Sequence, residues 1–304
     1  MLLLAGFLWL SRPFSQPRVA GRNLDAWVLQ LYNDYPQLDH EAVAALQAMG
    51  EPAVRQLARR VAANDSKLAT AMLQYAEQFP VLGKIFPSHY WDRYMAAKAL
   101  GEIGTNAAAA IPALQQMQAD TNRHLTRVAS AALVLIRNES ITELARTCVD
   151  HANTNSTKAF GILLELGPHA TGAVPIILNE LQSTNEHVRL RASILLGNVA
   201  FALPEGVSIF TNLLSDTNKL ICAQAIAGLA NCGARAKPVT PLVTRFLDDA
   251  DANCQSGALA FLWTVFSPAE LEQFRDKAQT MTASTNETTR LWAEKLIREM
   301  PASR

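Results

Sequence analysis

Apolar side chains recur at helical spacing through much of the 304-residue chain. In one stretch they form a clear stripe along a predicted helix: Met95, Ala96, Ala99, Leu100 and Ile103. Gly104 follows, and glycine takes the left-handed conformation that ends a helix at little cost. A second helix is predicted to begin near Pro112, because an N–H in the first turn would have no helical partner anyway. Its apolar face continues through Ile111, Leu114 and Met117.

The same two-helix pattern returns along the chain. AFGILLELG, which ends at Gly167, aligns with AIAGLANCG, which ends at Gly233, 66 residues later. Proline follows each glycine, as Pro175 after the first and as Pro238 or Pro241 after the second. Turn pairs Thr121-Asn122, Thr184-Asn185 and Thr217-Asn218 also recur, so the period is about 30 to 33 residues. Units that start at Thr121 and Asp251 lack the glycine and proline, but we still predict helix pairs there.

Repeated helix pairs cannot bury their apolar stripes alone, so neighbouring pairs must stack. The many alanines fit this arrangement, because small side chains let two helix layers approach closely and alanine is the best helix former. No run alternates with a period of two, and the sequence therefore predicts no sheet. The predicted fold is all-α: a right-handed α-solenoid of about seven to eight stacked antiparallel helix pairs.

Shorter signals mark both ends of the predicted stack. A first unit runs from His40 to Val61 with Gly50 as its stop. Ahead of it, one helical stripe consists of Leu24, Trp27, Val28 and Leu31. A final amphipathic capping helix is predicted from Leu291, Trp292, Leu296 and Ile297.

The motif RYMAAKALGEIG, which ends at Gly104, resembles the HEAT-repeat consensus of bacterial HEAT-like, PBS-lyase-type repeat proteins. HVRLRASILLG, which ends at Gly197, is similar to it as well, and the likeness extends from about Asp39 to Met300. The resemblance implies a HEAT-like or armadillo-type superhelix. It implies little about function, because the shared motif is a packing motif.

Two segments depart from the repeat. Residues 1–22 contain an apolar run, Leu2 to Leu10, which is too short for a bilayer span of about 20 residues. We interpret it as a clipped export signal or membrane anchor followed by a proline-containing linker; the alternative is a helix that packs on the solenoid. We therefore expect an anchored or exported protein, or otherwise a cytoplasmic one. Residues 23–300 are predicted to form one solenoid domain.

The second departure is an irregular aromatic insertion at residues 66–92, where Pro80 and Pro87 prevent one regular helix. Its candidate partner-binding aromatics are Phe79, Phe86, Tyr90 and Trp91. Two interpretations remain, a binding loop or a flap that covers the edge of the first repeats.

Charge and cysteine content narrow the function classes. The chain has 27 Lys and Arg against 27 Asp and Glu, spread evenly, which argues against nucleic-acid binding as the main role. The four cysteines show no zinc spacing and are predicted to be buried thiols: Cys148, Cys222, Cys232 and Cys254.

We find no sequence signature of catalysis, of a cofactor or of a metal site. The six histidines fall in different repeats and are predicted to be polar surface residues: His40, His89, His124, His151, His169 and His187. Asp248, Asp249 and Asp251 match no calcium loop and are expected to cap a helix or to be solvated. Arg93, Arg189 and Arg191 are expected to form an internal ladder, each paired with an acidic residue of the adjoining repeat.

The sequence therefore predicts a non-catalytic scaffold for an unidentified protein partner, with no cofactor. Its binding face would be the second helices, with these candidates: Gln115, Gln116, Asn179, Gln182 and Asn212. The alternative, implied by resemblance, is an enzyme or enzyme-assisting protein that acts on DNA bases or attaches chromophores. A chromophore role predicts an apolar pocket near Phe79 to Trp91, and a DNA-base role predicts a basic groove.

Overall fold

The computed structural model describes residues 17–33, 39–63 and 89–301, and the chain divides into two compact units, residues 1–140 and 141–304. The first unit holds two short strands, β1 (Arg18–Val19) and β2 (Arg22–Asn23), followed by helices α1 (Leu24–Asn33), α2 (His40–Ala62), α3 (Tyr90–Ile103), α4 (Ile111–Gln118) and α5 (Arg123–Arg137). The second unit holds α6 (Ile141–Val149), α7 (Ser156–Leu166), α8 (Val174–Glu180), α9 (Glu186–Val199), α10 (Gly206–Leu213), α11 (Lys219–Asn231), α12 (Thr240–Val243), α13 (Ala252–Val265), α14 (Arg275–Met281) and α15 (Glu287–Glu299).

Each unit is built from stacked helix pairs, so the protein is an α-solenoid, as predicted. Within the described ranges, two helix pairs lie wholly in the first unit, at residues 40–62 and 90–118. Four more lie wholly in the second unit, at residues 156–180, 186–213, 219–248 and 252–281. The total of seven to eight pairs and the single-domain boundaries at 23–300 stay predictions, since residues 64–88 fall outside the described chain.

Glycine ends the first helix in four of these pairs, as predicted. Gly50, Gly104, Gly167 and Gly233 have positive φ angles of 62°, 71°, 51° and 59°. A residue with a Cβ is strained in that conformation, which explains the choice of glycine. A 3₁₀ segment follows three of them and leads into the second helix: Gly104–Ala110, Gly167–Ala173 and Gly233–Val239.

Proline then starts the second helix. Pro112, Pro175 and Pro241 occupy the first turns of α4, α8 and α12. In the repeat that follows Gly233, the proline that starts the second helix is therefore Pro241. Pro238 lies within the preceding 3₁₀ segment.

A repeated capped turn begins five of the helices, whereas α3 and α7 have no side-chain cap. The side chains of Asn122, Asn185, Asn218, Asp251 and Asn286 each accept a hydrogen bond from a backbone N–H of the helix that follows. Two residues earlier, a second side chain accepts from the backbone N–H of the cap residue itself, at 2.8–3.2 Å: Asp120, Ser183, Asp216, Asp249 and Ser284.

A third contact closes the same turn. The fourth residue of each of these helices donates a side-chain hydrogen bond to the carbonyl six residues earlier, at 2.7–3.3 Å: Thr126, Arg189, Cys222, Gln255 and Arg290. The recurring threonine–asparagine pairs thus mark helix starts, and Thr285-Asn286, which the sequence analysis did not use, marks another.

Alanine and glycine bring the helices close together, as the composition indicates. In the first unit Ala96, Ala97 and Ala99 of α3 are fully buried. A Cβ on Gly101 would lie 3.2 Å from the Cα of Ala132 in α5, so the α3 and α5 backbones approach closely enough that an alanine at this position would require α5 to shift by a few tenths of an ångström. Met95 of the predicted stripe is only partly buried.

The prediction of no sheet was wrong. Arg18–Val19 and Arg22–Asn23 form an antiparallel hairpin around Ala20 and Gly21, which both have positive φ. Trp27 Nε1 donates a hydrogen bond to the Val19 carbonyl at 3.1 Å, and this contact holds the hairpin on α1. Strands of two residues are too short to show an alternating pattern. The stripe on α1, by contrast, is buried as predicted: Leu24, Trp27, Val28 and Leu31.

The capping helix exists as α15, but its buried face differs from the predicted one. The buried positions are Thr289, Ala293 and Leu296, while Leu291 is 54% exposed. Trp292 packs sideways against Trp263 of α13, with ring centroids 5.9 Å apart. Because α15 packs on α13 and α14 from one side, only a narrow stripe of it is covered.

Residues 156–180 are, by length and composition, apolar enough to cross a membrane. They are not one continuous helix, however, because the chain turns at Gly167 between α7 and α8. Half of the apolar stretch is buried inside the protein, as expected for a core helix pair. The predicted tether, Leu2 to Leu10, lies outside the described residues and stays a prediction.

Two helical glycines provide a matched test of the close packing. A Cβ on Gly228 of α11 would lie 2.4 Å from the ring of Phe210, which is fully buried. A Cβ on Gly257 of α13 would lie 3.5 Å from Ile226, an ordinary contact. We expect Gly228→Ala to lower the free energy of unfolding by about 1–3 kcal/mol through overpacking. Gly257→Ala should raise it by up to about 1 kcal/mol through helix propensity.

Urea titrations of the two variants, followed by circular dichroism, measure both changes. Equal effects of the two substitutions would show that the Phe210–Gly228 contact does not limit the packing of α10 on α11.

Candidate interaction surface

The second helices present exposed amide side chains. Gln116, Asn179 and Asn212 each stand two residues after a fully buried residue, which is Leu114, Ile177 or Phe210. Two residues along an α-helix is a rotation of about 200°, so these amides lie opposite the core. Gln115 and Gln182 are exposed as well. The candidates divide between the units: Gln115 and Gln116 belong to the first, and the other three belong to the second.

The five amides have no role in holding the fold together. Within the part of the chain that the structure describes, none of their side chains makes a hydrogen bond to another residue. An amide side chain offers both donors and an acceptor, so each can pair with the main chain or the side chains of a partner. Binding by these residues stays a prediction.

Sequence analysis missed three further members of this series in the second unit. Thr147, Arg245 and Thr280 also stand two residues after a buried residue, namely Ala145, Val243 and Ala278. With Asn179 and Asn212 they form what we call the polar row, one member per repeat at intervals of 32, 33, 33 and 35 residues. Their constant position, two residues after a buried residue of the same repeat, is the sequence signal that identifies them.

The predicted aromatic site is only partly within the described residues. Phe79 and Phe86 lie outside them. Tyr90, Trp91 and Tyr94 gather at the start of α3, with ring centroids 5.1–6.3 Å apart. Tyr90 and Tyr94 pack against the core of the first unit, whereas Trp91 is 51% exposed. Whether residues 66–92 bind a partner or cover the first repeats stays open.

A second aromatic cluster went unnoticed in the sequence. Trp263 and Trp292 stack edge to face, and Lys295 Nζ lies 3.7 Å and 4.5 Å from their ring centroids. The two tryptophans are 29 residues apart, and only the stacking of α13 on α15 brings them together.

Two of the three ladder arginines behave as predicted. Arg93 forms an ion pair with Asp120 at 2.8 Å and donates to the Val61 carbonyl at 3.2 Å. Arg189 pairs with Asp216 at 3.4 Å.

The prediction for Arg191 was wrong, because among the described residues no carboxylate oxygen lies within 4.0 Å of it. It donates instead to Ser156 Oγ at 3.3 Å and lies over the Phe160 ring at 4.9 Å.

Arg191 lines a small crevice in the second unit. His151 and Glu180 line it as well, joined by a contact of 3.0 Å between Nε2 and Oε2. Cys148 is a further lining residue, and burial raises the pKa of its thiol against the opposing influence of Arg191.

The cysteines are buried thiols, as predicted. Burial raises the pKa of Cys232 to about 11 and that of Cys254 to about 12, so both are neutral at physiological pH. Among the described residues, no three His, Cys, Asp or Glu side chains group as a metal site.

Asp248, Asp249 and Asp251 have the structural roles expected of them. Asp251 caps α13, and Asp249 accepts from Lys219 Nζ at 2.6 Å, which lowers the pKa of Asp249. Asp248 is paired with Lys277. The histidines are exposed, apart from a half-buried His169.

Residues 92–120, which comprise most of α3 and α4 with the Gly104 turn between them, match the family model of the PBS lyase HEAT-like repeat. This segment is therefore similar to a HEAT-like repeat. It contains the buried alanines and the Gly104 and Pro112 signature described above, so the match reports the packing motif. No curated protein matches the chain.

Solved structures of repeat proteins resemble this chain weakly. An engineered protein is 19% identical, covers 91% of this chain and 88% of its own, and has a TM-score of 0.42. A designed armadillo repeat protein is 15% identical over 82% of this chain and 100% of its own, with a TM-score of 0.38.

An archaeal HEAT-like repeats protein from Thermococcus onnurineus NA1 is 13% identical over 68% of this chain and 92% of its own, also with a TM-score of 0.38. All three scores are low, so the helix-pair architecture rests on the contacts within this chain.

Arg189 and Arg191 differ sharply in what they contribute to stability. Arg189→Gln removes an ion pair with Asp216 and a bond to the Ser183 carbonyl, so the half-buried Asp216 loses its cationic partner. We expect it to lower the free energy of unfolding by about 1–3 kcal/mol. Arg191→Gln removes no ion pair and should change it by less than about 0.5 kcal/mol.

Urea titration of both variants at pH 7 makes the comparison. A large loss for Arg191→Gln would mean that the guanidinium supports the fold, as a ladder arginine would.

Proposed function

We propose that the protein is a non-catalytic scaffold whose second unit binds an extended polypeptide segment along the polar row. One observation carries the proposal: Asn179 and Asn212 repeat at equivalent positions, are exposed and make no side-chain hydrogen bond within the described chain. On the stacked second helices, these two amide side chains offer hydrogen-bonding groups that the fold itself does not use, whereas the hydroxyls of Thr147 and Thr280 also donate to backbone carbonyls of their own helices.

The spacing of the row suits an extended chain. Packed helices lie about 8–10 Å apart, so successive row members are separated by a similar distance. An extended polypeptide advances about 3.3 Å per residue, and three of its residues therefore span one repeat. A partner could place a main-chain amide opposite each row member in turn.

The chemistry of the row favours main-chain recognition. Four of its five members are uncharged, and Arg245 is the exception. Asparagine can donate to a carbonyl and accept from an N–H at once, which matches the peptide group. Each such bond contributes only about 0.5–1.5 kcal/mol, so affinity must come from several repeats engaged together.

The enzymatic alternative rests on resemblance alone. The region where a chromophore pocket was predicted, Phe79 to Trp91, falls mostly outside the described residues. No contact described above favours a reaction.

The test begins with a display library of unstructured 12-residue peptides, from which binders of the wild-type protein are selected. Fluorescence anisotropy then measures their affinity for the triple variant Asn179→Ala, Gln182→Ala, Asn212→Ala. We expect affinity to fall at least tenfold, because the variant removes two members of the polar row and the exposed amide of Gln182. The fold should be unchanged, since these side chains hold no internal bonds.

A matched control variant carries Thr157→Ala, Asn253→Ala and Thr288→Ala, three exposed polar positions on first helices of the same unit. It should bind the selected peptides as the wild type does. Selected peptides that bind the row variant with undiminished affinity would refute the proposal.

A further inference from the structure

A second row of side chains runs beside the polar row in the second unit. In four successive repeats, the residue directly before the fully buried position of the second helix is apolar and only half-buried. We call these residues the apolar row: Leu144, Ile176, Ile209 and Leu242. Their intervals of 32, 33 and 33 residues are the same as the first three intervals of the polar row.

The two rows are adjacent on the helix surface. Each member of the apolar row stands three residues before a member of the polar row, as Ile176 does before Asn179 and Ile209 before Asn212. Residues three apart on an α-helix are neighbours, with about 5–6 Å between their Cβ atoms. A segment that binds along the polar row therefore has the exposed part of the apolar row beside it in each repeat.

The face that carries both rows is almost uncharged in its central repeats. Pro175, Ser208 and Pro241, which stand two residues before the buried positions, are exposed and neutral. In these three repeats, Arg245 is the one charged residue of the two rows. Because binding surfaces match in electrostatic character, this face suits a segment with uncharged and apolar side chains.

The spacing of the apolar row favours one backbone conformation of the partner. Neighbouring second helices lie about 8–10 Å apart, so the partner must present one apolar side chain at that interval. Side chains on one face of a β-strand recur about every 6.6 Å, and neither one nor two such steps fit. A polyproline II helix has three residues per turn and rises about 3.1 Å per residue, so every third side chain points the same way about 9.3 Å along.

The main chain of such a helix also suits the polar row. A polyproline II helix has no internal hydrogen bonds, so its carbonyls are free to accept from the amides of Asn179 and Asn212. We propose that the partner segment binds as a polyproline II helix whose apolar residues, one at every third position, contact the apolar row. This inference rests on the proposed function for the binding site, and it adds the sequence pattern and conformation of the ligand.

The first test compares two synthetic 12-residue peptides of the same composition by fluorescence anisotropy. The periodic peptide repeats Leu-Pro-Gln four times, and the control peptide places its four leucines at alternate positions. We expect the periodic peptide to bind at least tenfold more tightly, because only its leucines match the interval of the apolar row. Equal affinities, or no binding of the periodic peptide, would overturn the proposal.

A loss-of-contact variant carries Ile176→Thr and Ile209→Thr, which keep the branch at Cβ and remove apolar surface from the row. It should bind the periodic peptide at least tenfold more weakly than the wild type does. Thermal unfolding followed by circular dichroism checks that the variant is folded. Undiminished binding by the folded variant would contradict the assignment of these contacts.

A gain-of-contact variant does not depend on tolerance of that double substitution. Lys277 stands directly before the buried Ala278, which is the position of the apolar row in the next repeat, and it pairs with the largely exposed Asp248. Lys277→Leu should raise the affinity for a 15-residue peptide, Leu-Pro-Gln repeated five times, at least threefold. The affinity for the 12-residue periodic peptide should change by twofold at most, because its four leucines already fill the row.

Lys158→Leu is the matched control, since it adds a leucine at an exposed position of the first helix α7 in the same unit. It should change neither affinity. A 15-residue peptide that gains nothing from Lys277→Leu, or gains as much from Lys158→Leu, would count against the period of three.

The triple variant of the polar row distinguishes this inference from the proposed function. Periodic peptides that need the apolar row and are indifferent to Asn179→Ala, Gln182→Ala, Asn212→Ala would refute the proposed function alone. Display-selected peptides that need the polar row but carry no apolar residue at every third position would refute the polyproline II inference alone.

Discussion

The structure depends on one repeated turn, in which an Asn or Asp side chain caps the start of α5, α9, α11, α13 and α15. The cap residue accepts from the helix, the residue two before it accepts from the cap, and a donor on the fourth helical residue reaches back to the start of the turn. Three bonds within seven residues set where each helix begins and how it leaves the turn. Because helix pairs stack through their side faces, a slip at one turn would displace every apolar residue that follows.

Small residues decide how closely the capped helices then pack. Fully buried alanines on α3, with Gly101 almost touching Ala132, bring two backbones together. Gly228 accommodates the ring of Phe210 in the same way. At this contact a large core side chain is matched by glycine on the facing helix. The stack is held by many modest contacts between neighbours, and its aromatic residues gather at only a few points.

The outer side of the second helices takes part neither in the core nor in the turns that start the helices. Core contacts occupy one face, and caps and arginine pairs occupy the turns. The polar row contributes to neither. Arg191 differs from Arg93 and Arg189 in its partners. The guanidinium of Arg191 contacts neutral groups, whereas those of Arg93 and Arg189 pair with carboxylates. Residues that the fold does not need are the natural candidates for function.

The sequence by itself determined the helix pairs, their period and their stops. Gly104, Gly167, Gly233 and the prolines act through local backbone geometry, which needs no knowledge of the rest of the chain. The exposure of the candidate amides also followed from helical periodicity.

Tertiary structure decided everything that depends on which neighbour a residue meets. It paired Trp263 with Trp292, exposed Leu291 on a helix covered from one side, and left Arg191 without the acidic partner that its spacing suggested. It also added a hairpin of two-residue strands, which the Val19 contact to Trp27 holds on α1. These outcomes arise from contacts between residues far apart in sequence, and no local pattern encodes the distance between them.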